Sequence, residues 1–226
     1  MKVYAEFIED DGLLFRTKTL LQFGDSWDLI GSIVMKNPGS SKPKSNIDIE
    51  TSVKLQEFYK TNINVENWRV ANNDPTMRDI SAIFNGSYVG RNVELNGIIQ
   101  IFNLFNICDQ NVSSAYKKAN TTSSEFLLPN IEGMILEFQN KPVYIGFSDF
   151  YTNKTSKHFD FLLDSAIKIF EHVKNGKFDY LNDDQIVDNH YYRNNFFYHP
   201  QYLNKSSKRE KYLPVLEKFI SLYEEV

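Results

Sequence analysis

Residues Gly31 to Pro43, GSIVMKNPGSSKP, combine an apolar run with a cluster of turn-forming residues. The apolar and β-branched side chains at 33–35 predict a buried strand, which stops at Asn37-Pro38-Gly39-Ser40-Ser41. A strand that ends in this way leaves a short polar side chain and free backbone N–H groups at its carboxyl end. Because open α/β sheets bind their ligands at that edge, the stretch predicts a strand with a binding site at its end.

The same pattern occurs three more times along the chain. Apolar runs end in polar residues at 97–103 (Asn103), at 143–149 (Ser148 and Asp149) and at 195–200 (His199-Pro200). If these strands are parallel neighbours, their polar ends converge with Asn37 on one crevice. The alternative is that each polar residue only forms a turn.

These runs predict one α/β domain over residues 1–226, with three layers (α/β/α) and a central, mainly parallel sheet of about four core strands. Residues 1–24 are expected to add an N-terminal hairpin, and residues 44–73 an excursion from the core. Helices are predicted from Pro75, with Asp74 as N-cap, over 159–173 and near the C-terminus. The polar segment up to Ser124 is expected to be a loop.

The composition is that of an ordinary globular protein, with 226 residues of which 42% are hydrophobic and 24% charged. The single cysteine, Cys108, excludes an internal disulfide and a multi-cysteine zinc site, and the four histidines lack metal-binding spacing. We therefore expect no metal and no cofactor. No apolar run is long enough to cross a membrane, so we expect a cytoplasmic monomer without a membrane partner.

The net charge of −4 is unevenly distributed. Residues 36–44, 111–124 and 199–212 are basic, whereas the rest of the chain is acidic. Since each basic stretch follows a predicted strand end, one rim of the sheet is expected to be basic, as in proteins that meet phosphates with one face. The alternative is that these lysines are ordinary solvated surface.

Three motifs in this order resemble the uracil-DNA glycosylase superfamily, particularly its mismatch-specific thymine/uracil branch. They are Lys36-Asn37-Pro38-Gly39, Asn103 at the end of a core strand, and His199-Pro200. Asn37-Pro38-Gly39, Asp74-Pro75-Thr76 and Asn103-Leu104-Phe105 also look like an uncharacterised bacterial and phage family with N-P-S, D-P-T and N-L-F motifs. Lys36 stands where the glycosylase branch has isoleucine, which leaves the substrate open.

The resemblance implies a DNA glycosylase that flips a nucleotide into the crevice and hydrolyses its N-glycosidic bond. Asn37 then positions the water, Asn103 hydrogen-bonds the base edge, and His199 either stabilises the departing base or clamps the adjacent phosphate. Asp74 either caps its helix or orients a water. Contacts with the flipped nucleotide are expected from Pro38, Gly39, Phe102, Phe105, Tyr198 and Tyr202, although each aromatic residue could instead belong to the core. Contacts with DNA phosphates are expected from Ser40, Ser41, Lys42, Lys205, Lys208 and Arg209.

Two other functions are compatible with the same residues. A catalytically silent module that binds DNA or nucleotides could use the basic rim, and an enzyme acting on free nucleotides could use the pocket. The chain contains neither GxxxxGK[ST] nor GxGxxG, which argues against a P-loop or dinucleotide enzyme. The base is open: uracil, a mismatched pyrimidine or a hypermodified phage pyrimidine, the last of which would indicate antiviral defence.

Overall fold

Four strands precede the first helix of the chain, of which this computed structural model describes residues 1–60, 63–148, 155–175 and 197–224. The strands are β1 (Lys2–Asp10), β2 (Leu13–Phe23), β3 (Leu29–Met35), β4 (Pro43–Asn46), β5 (Trp68–Ala71), β6 (Gly97–Asn103) and β7 (Val143–Ile145). The helices are α1 (Ile49–Tyr59), α2 (Pro75–Phe84), α3 (Val112–Thr121), α4 (Ile131–Glu137), α5 (Phe159–Asn175) and α6 (Ser206–Glu224). Short 3₁₀ helices cover Ser87–Val89 and Pro200–Asn204.

The strands form one mixed sheet in the order β4-β5-β1-β2-β6-β3-β7. β3 lies between β6 and β7 and is parallel to both, whereas the other neighbours are antiparallel. The strands predicted after Gly31, Gly97 and Val143 are thereby confirmed. The prediction of a mainly parallel sheet of about four strands is wrong, because the described residues form a seven-stranded, mostly antiparallel sheet.

The N-terminal hairpin accounts for most of the difference between the predicted and the observed sheet. β1 and β2 pair around Asp11 and Gly12, whose positive φ angles of 51° and 68° make the tight turn, so the predicted hairpin is confirmed. It is not an addition to the core, however, because β2 pairs with β6 in the middle of the sheet, with Thr19 opposite Ile101. Leu20 and Leu21 lie on opposite faces of β2 and are both buried, as expected for a strand in the middle of a sheet that is covered on both faces.

Residues 44–73, predicted as an excursion from the core, also contribute to the sheet. β5 pairs with β1, and β4 pairs with β5 at the edge. Between these strands, α1 starts at Asp48, whose carboxylate accepts a hydrogen bond from the Thr51 N–H. α1 buries Leu55 and Phe58 in a second hydrophobic cluster with residues of β1, β2 and β5.

Residues 112–121 form helix α3 where the sequence predicted a loop. Asn111 caps this helix by accepting a hydrogen bond from the Ser114 N–H, and Ala115, Tyr116 and Ala119 form its buried side. In the sequence, the few apolar residues of this helix lie among polar residues that favour turns, so the pattern does not indicate a helix. The predicted helices α2 and α5 are confirmed, and the C-terminal helix α6 begins at Ser206.

The predicted fourth strand, 195–200, falls partly outside the described residues. Phe197 to His199 are not in a strand, and Pro200–Asn204 form a 3₁₀ helix. The segment nevertheless passes beside the end of β7, since the Phe197 carbonyl accepts a hydrogen bond from the Ser148 N–H at 2.7 Å. His199 is therefore brought to the end of β7, as predicted, but by a turn instead of a strand.

Helices cover both faces of the sheet. On one face, Tyr144 of β7 packs edge-on against Phe219 of α6 at 5.6 Å, and Phe219 packs against Phe84 of α2 at 5.1 Å. On the other face, Phe102 of β6 packs against Phe138 at the end of α4 at 5.5 Å. The carboxyl ends of the three parallel strands lie between these layers and remain accessible at one edge.

Candidate functional site

A cavity of about 390 Å³ lies at the carboxyl ends of β3, β6 and β7. Its size is typical of a small-molecule site. Many residues singled out in the sequence line it: Asn37, Gly39, Ser40, Asp74, Asn103, Ser148, His199 and Tyr202, together with Lys36, Pro75 and Thr76 of the quoted motifs. The predicted convergence of the polar strand ends is therefore observed, except that Asp149 lies outside the described residues. We call this cavity the strand-end pocket.

Strand register brings Asn37 and Asn103 together. Met35 lies opposite Asn103 in the parallel pair of β3 and β6, so both strands reach the pocket at the same level. Beyond them, the N–H groups of Leu104 and Phe105 both donate to the Lys36 carbonyl at 3.1 Å. These bonds join the two strand ends into one rigid unit.

The side chain of Asn37 is fixed by the hydrogen bonds that its amide nitrogen donates. Its Nδ2 donates to the carbonyls of Pro38 at 2.7 Å and of Asp109 at 2.9 Å. Since both amide hydrogens are used, the side-chain oxygen is the atom left to accept a hydrogen bond from a ligand or a water. Pro38 is buried beneath it and does not line the pocket.

At Asn103 it is the side-chain nitrogen, and not the oxygen, that is left to bind a ligand. Its side chain is 2% exposed, and its enclosed Nδ2 finds no acceptor among the described residues. A buried donor without a partner costs on the order of 1–3 kcal/mol. A ligand that brings an acceptor to this atom recovers that free energy, so Asn103 presents a donor to whatever occupies the pocket.

Asp74 caps α2 and also faces the pocket. Its Oδ1 accepts a hydrogen bond from the Met77 N–H at 3.0 Å, as expected for an N-cap. Its Oδ2 points towards Gly39, where a Cβ atom on the glycine would lie 3.4 Å from that oxygen. One oxygen is therefore engaged in capping, and the other remains for a molecule beside Gly39.

His199 is held as a neutral ring. Its Nδ1 accepts a hydrogen bond from the Gln201 N–H at 3.3 Å, which assigns the proton of the neutral ring to Nε2. Burial, together with the positive charge of Lys36, lowers the pKa of His199 to about 4. At neutral pH His199 is therefore an uncharged donor.

Two residues at the end of β7 position His199. The Ser148 Oγ accepts a hydrogen bond from the His199 N–H at 3.3 Å, and Ser148 itself has a φ of 57°, which is rare outside glycine. At Gly146, a Cβ atom would lie 3.1 Å from the Met35 sulfur and 3.3 Å from Pro200 Cδ. The absence of a side chain at Gly146 lets the His199-Pro200 turn pack against the strand end.

The proposed aromatic contacts divide into two groups. Tyr202 is 46% exposed and lines the pocket. Phe102 points to the other face of the sheet from Asn103, because neighbouring residues of a strand alternate. Phe105 packs against Tyr116, and Tyr198 against Tyr212 at 4.9 Å. These three side chains are therefore in the core and not at the pocket surface.

Of the proposed phosphate contacts that the structure describes, Ser40 lines the pocket and the others do not. Ser40 is exposed at its rim, whereas the buried Ser41 hydroxyl donates to the Asn72 carbonyl at 2.6 Å. Lys42 is exposed but does not line the cavity. Lys205 is exposed before α6, and Arg209 lies 5.7 Å from the Tyr88 ring. The side chain of Lys208 lies outside what the structure describes.

Arg16 is a charged pocket residue that was not among the candidates from the sequence. It is on β2, lines the pocket, and is only 3% exposed. Burial lowers its pKa, while Cys108 and the Asp74 carboxylate act in the opposite direction; arginine nevertheless keeps its charge in proteins. A charged residue within the apolar run 13–23 was the available signal, but the hairpin was not expected to reach the strand ends.

Comparison with protein-family models, with curated proteins and with solved structures gives no match to this chain. Within the described residues, no group of three or more His, Cys, Asp or Glu side chains could hold a metal ion. No helix in the same part of the chain is long and apolar enough to cross a membrane. The geometry of the strand-end pocket is therefore the feature of this protein that indicates a function.

Proposed function

We propose that this protein is a DNA glycosylase that flips a pyrimidine nucleotide into the strand-end pocket and hydrolyses its N-glycosidic bond, leaving an abasic site. The observation that carries this proposal is the convergence of Asn37, Asn103 and the neutral His199 in one cavity. Hydrolysis of this bond requires an oriented water, a reader of the base edge and a donor to the departing base. The three side chains offer these groups.

Water positioning is assigned to Asn37, with Asp74 beside it. The Asn37 oxygen is free to accept a hydrogen bond because its Nδ2 is held by the Pro38 and Asp109 carbonyls. The Asp74 Oδ2 faces the same region next to Gly39. A water bound between these two acceptors has a lone pair left to attack the sugar carbon.

Recognition and departure of the base are assigned to Asn103 and His199. The unpartnered Nδ2 of Asn103 donates to a carbonyl oxygen of the base. The Nε2–H of His199 donates to an oxygen that gains negative charge as the bond breaks. A neutral imidazole suffices for this role, because the donor is fixed in advance by the Gln201 and Ser148 hydrogen bonds.

DNA is expected to approach across the exposed rim formed by Ser40, Gln110 and Tyr202. Lys205 and Arg209 follow this rim in the chain and would contact phosphates, while Tyr202 would stack on a nucleotide. A hypermodified phage pyrimidine remains the alternative to uracil or a mismatched pyrimidine, and would make the protein a defence factor.

One observation favours a second function, that of an enzyme acting on free nucleotides. Arg16 places a buried positive charge in the pocket, and a free nucleotide could bring its phosphate to that charge. A phosphate of a DNA strand would instead stay at the rim. Hydrolysis of free nucleotides but not of DNA would select this second function.

The test is incubation with single- and double-stranded oligonucleotides that contain uracil, mismatched thymine or hypermodified phage pyrimidines, followed by cleavage of abasic sites. We expect excision from at least one substrate and a loss of about a hundredfold or more in Asn37→Ala, since water positioning acts on the transition state. Asn92→Ala, at an exposed position outside the pocket, is the matched control. DNA binding without any abasic product would identify a silent binding module and refute the proposal.

A further inference from the structure

The floor of the strand-end pocket contains unused hydrogen-bond donors. Nε and Nη1 of Arg16 and Nδ2 of Asn103 are all enclosed, and none has an acceptor among the described residues. Both side chains line the same cavity and are at least 97% buried. They are also held close in the fold, because the Arg16 N–H donates to the Asn106 carbonyl at 2.9 Å, three residues after Asn103.

Among the described residues, the charge of Arg16 has no carboxylate in direct contact, although Asp74 acts on it through space. No carboxylate in the described part of the chain forms a salt bridge with it. Asp109 is paired with Lys118 at 2.7 Å, and Asp74 uses one oxygen to cap α2. A buried charge without a partner is strongly unfavourable, so an anion that enters the pocket is stabilised there.

We propose that Arg16 and Asn103 form an oxyanion site that binds the nucleobase in its anionic form. The inference rests on the proposed function only in taking the anion to be a base. When the C1′–N bond breaks, its electron pair stays on the base and the charge spreads onto the ring oxygens. Water adds to C1′ and gives its proton to the Asp74 carboxylate, and the released base anion is later protonated from solvent.

The depth of Arg16 indicates which group it contacts. Its guanidinium lies below an exposed rim of Ser40, Gln110 and Tyr202. A backbone phosphate of DNA stays at that rim, whereas the edge of a flipped base reaches the floor. His199 and Arg16 then act on the same developing charge, the first through a neutral donor and the second through a full positive charge.

The test is calorimetric titration of free bases at neutral pH, which needs neither DNA nor cleavage. The probes are 5-nitrouracil, which is anionic at this pH, and thymine, which is neutral. We expect the wild type to bind 5-nitrouracil about tenfold to a hundredfold more tightly than thymine, and Arg16→Gln to lose this preference. Arg16→Lys, which keeps the charge without the planar fork, should retain part of it.

Thermal unfolding separates binding from a structural role. Arg16→Gln removes an unpaired buried charge, so its melting temperature without ligand should stay the same or rise, whereas a structural arginine would lower it. Equal affinity of the wild type for 5-nitrouracil and thymine would overturn the inference even if DNA is excised. Arg16-dependent binding of inorganic phosphate, without 5-nitrouracil binding, would overturn it as well. Preferential binding of 5-nitrouracil without excision would uphold the inference while the glycosylase proposal fails.

Discussion

His199 allows a quantitative test of the pocket. Its pKa of about 4 lies below the ordinary value of 6.5, because burial and Lys36 disfavour the charged ring. The unfolded chain takes up a proton near pH 6.5, whereas the folded protein resists protonation until about pH 4. The contribution of His199 to the free energy of unfolding is therefore complete above pH 6.5 and is lost as the pH falls towards 4.

The size of this effect follows from the displacement of the pKa. Each unit corresponds to about 1.4 kcal/mol, so the full displacement amounts to about 3 kcal/mol, and partial exposure of the ring reduces it to about 2–3 kcal/mol. In His199→Asn the amide oxygen can replace Nδ1 as acceptor for the Gln201 N–H. This variant should lose the pH-dependent part while keeping the turn.

The assay is urea unfolding of the wild type and His199→Asn at intervals between pH 7.5 and 4.5. We expect the free energy of unfolding of the wild type to fall relative to that of the variant by about 1.4 kcal/mol at pH 5.5, and by more at pH 4.5. A difference between the two proteins that does not change with pH would refute the argument that His199 is held neutral in the pocket.

Three further predictions concern the base, the DNA and the core. Asn103→Asp replaces a donor by an acceptor-only group beside Arg16, so excision should be lost or its base preference changed while the melting temperature is kept; normal activity on the same bases would remove Asn103 from edge reading. Replacing Lys205, Lys208 and Arg209 with Ala should weaken binding to all DNA sequences and reduce the salt slope by roughly 2–3 units, and an unchanged slope would identify them as ordinary surface. Asp79 is 7% exposed, its Oδ2 has no described partner, and burial raises its pKa. Protonation of Asp79 therefore stabilises the native state, and this stabilisation is lost as the pH rises through the pKa of the folded protein. Asp79→Asn should therefore keep or increase the melting temperature at pH 7.5, with a smaller advantage in acid; a loss of stability that is equal at both pH values would contradict this reasoning.

The sequence predicted those elements whose signal is local. Capping at Asp74 and the apolar spacing of 159–173 identified α2 and α5, and turn residues after apolar runs identified the ends of β3, β6 and β7. Helix α3 was missed because its apolar residues are few and its polar residues favour turns. The aromatic residues Phe102, Phe105 and Tyr198 could not be assigned, since strand alternation and loop packing decide which way their rings point.

By itself, the sequence determined that Asn37, Asn103 and His199 follow apolar segments, because residue order and turn chemistry are local properties. Only the tertiary structure decided that β2 lies next to β6, which brings Arg16 to the pocket. It also decided that Asn37 presents an oxygen, Asn103 a nitrogen and His199 a neutral ring. The physical reason is that hydrogen-bond partners and desolvation depend on groups distant in the chain, such as the Asp109 carbonyl and Lys36.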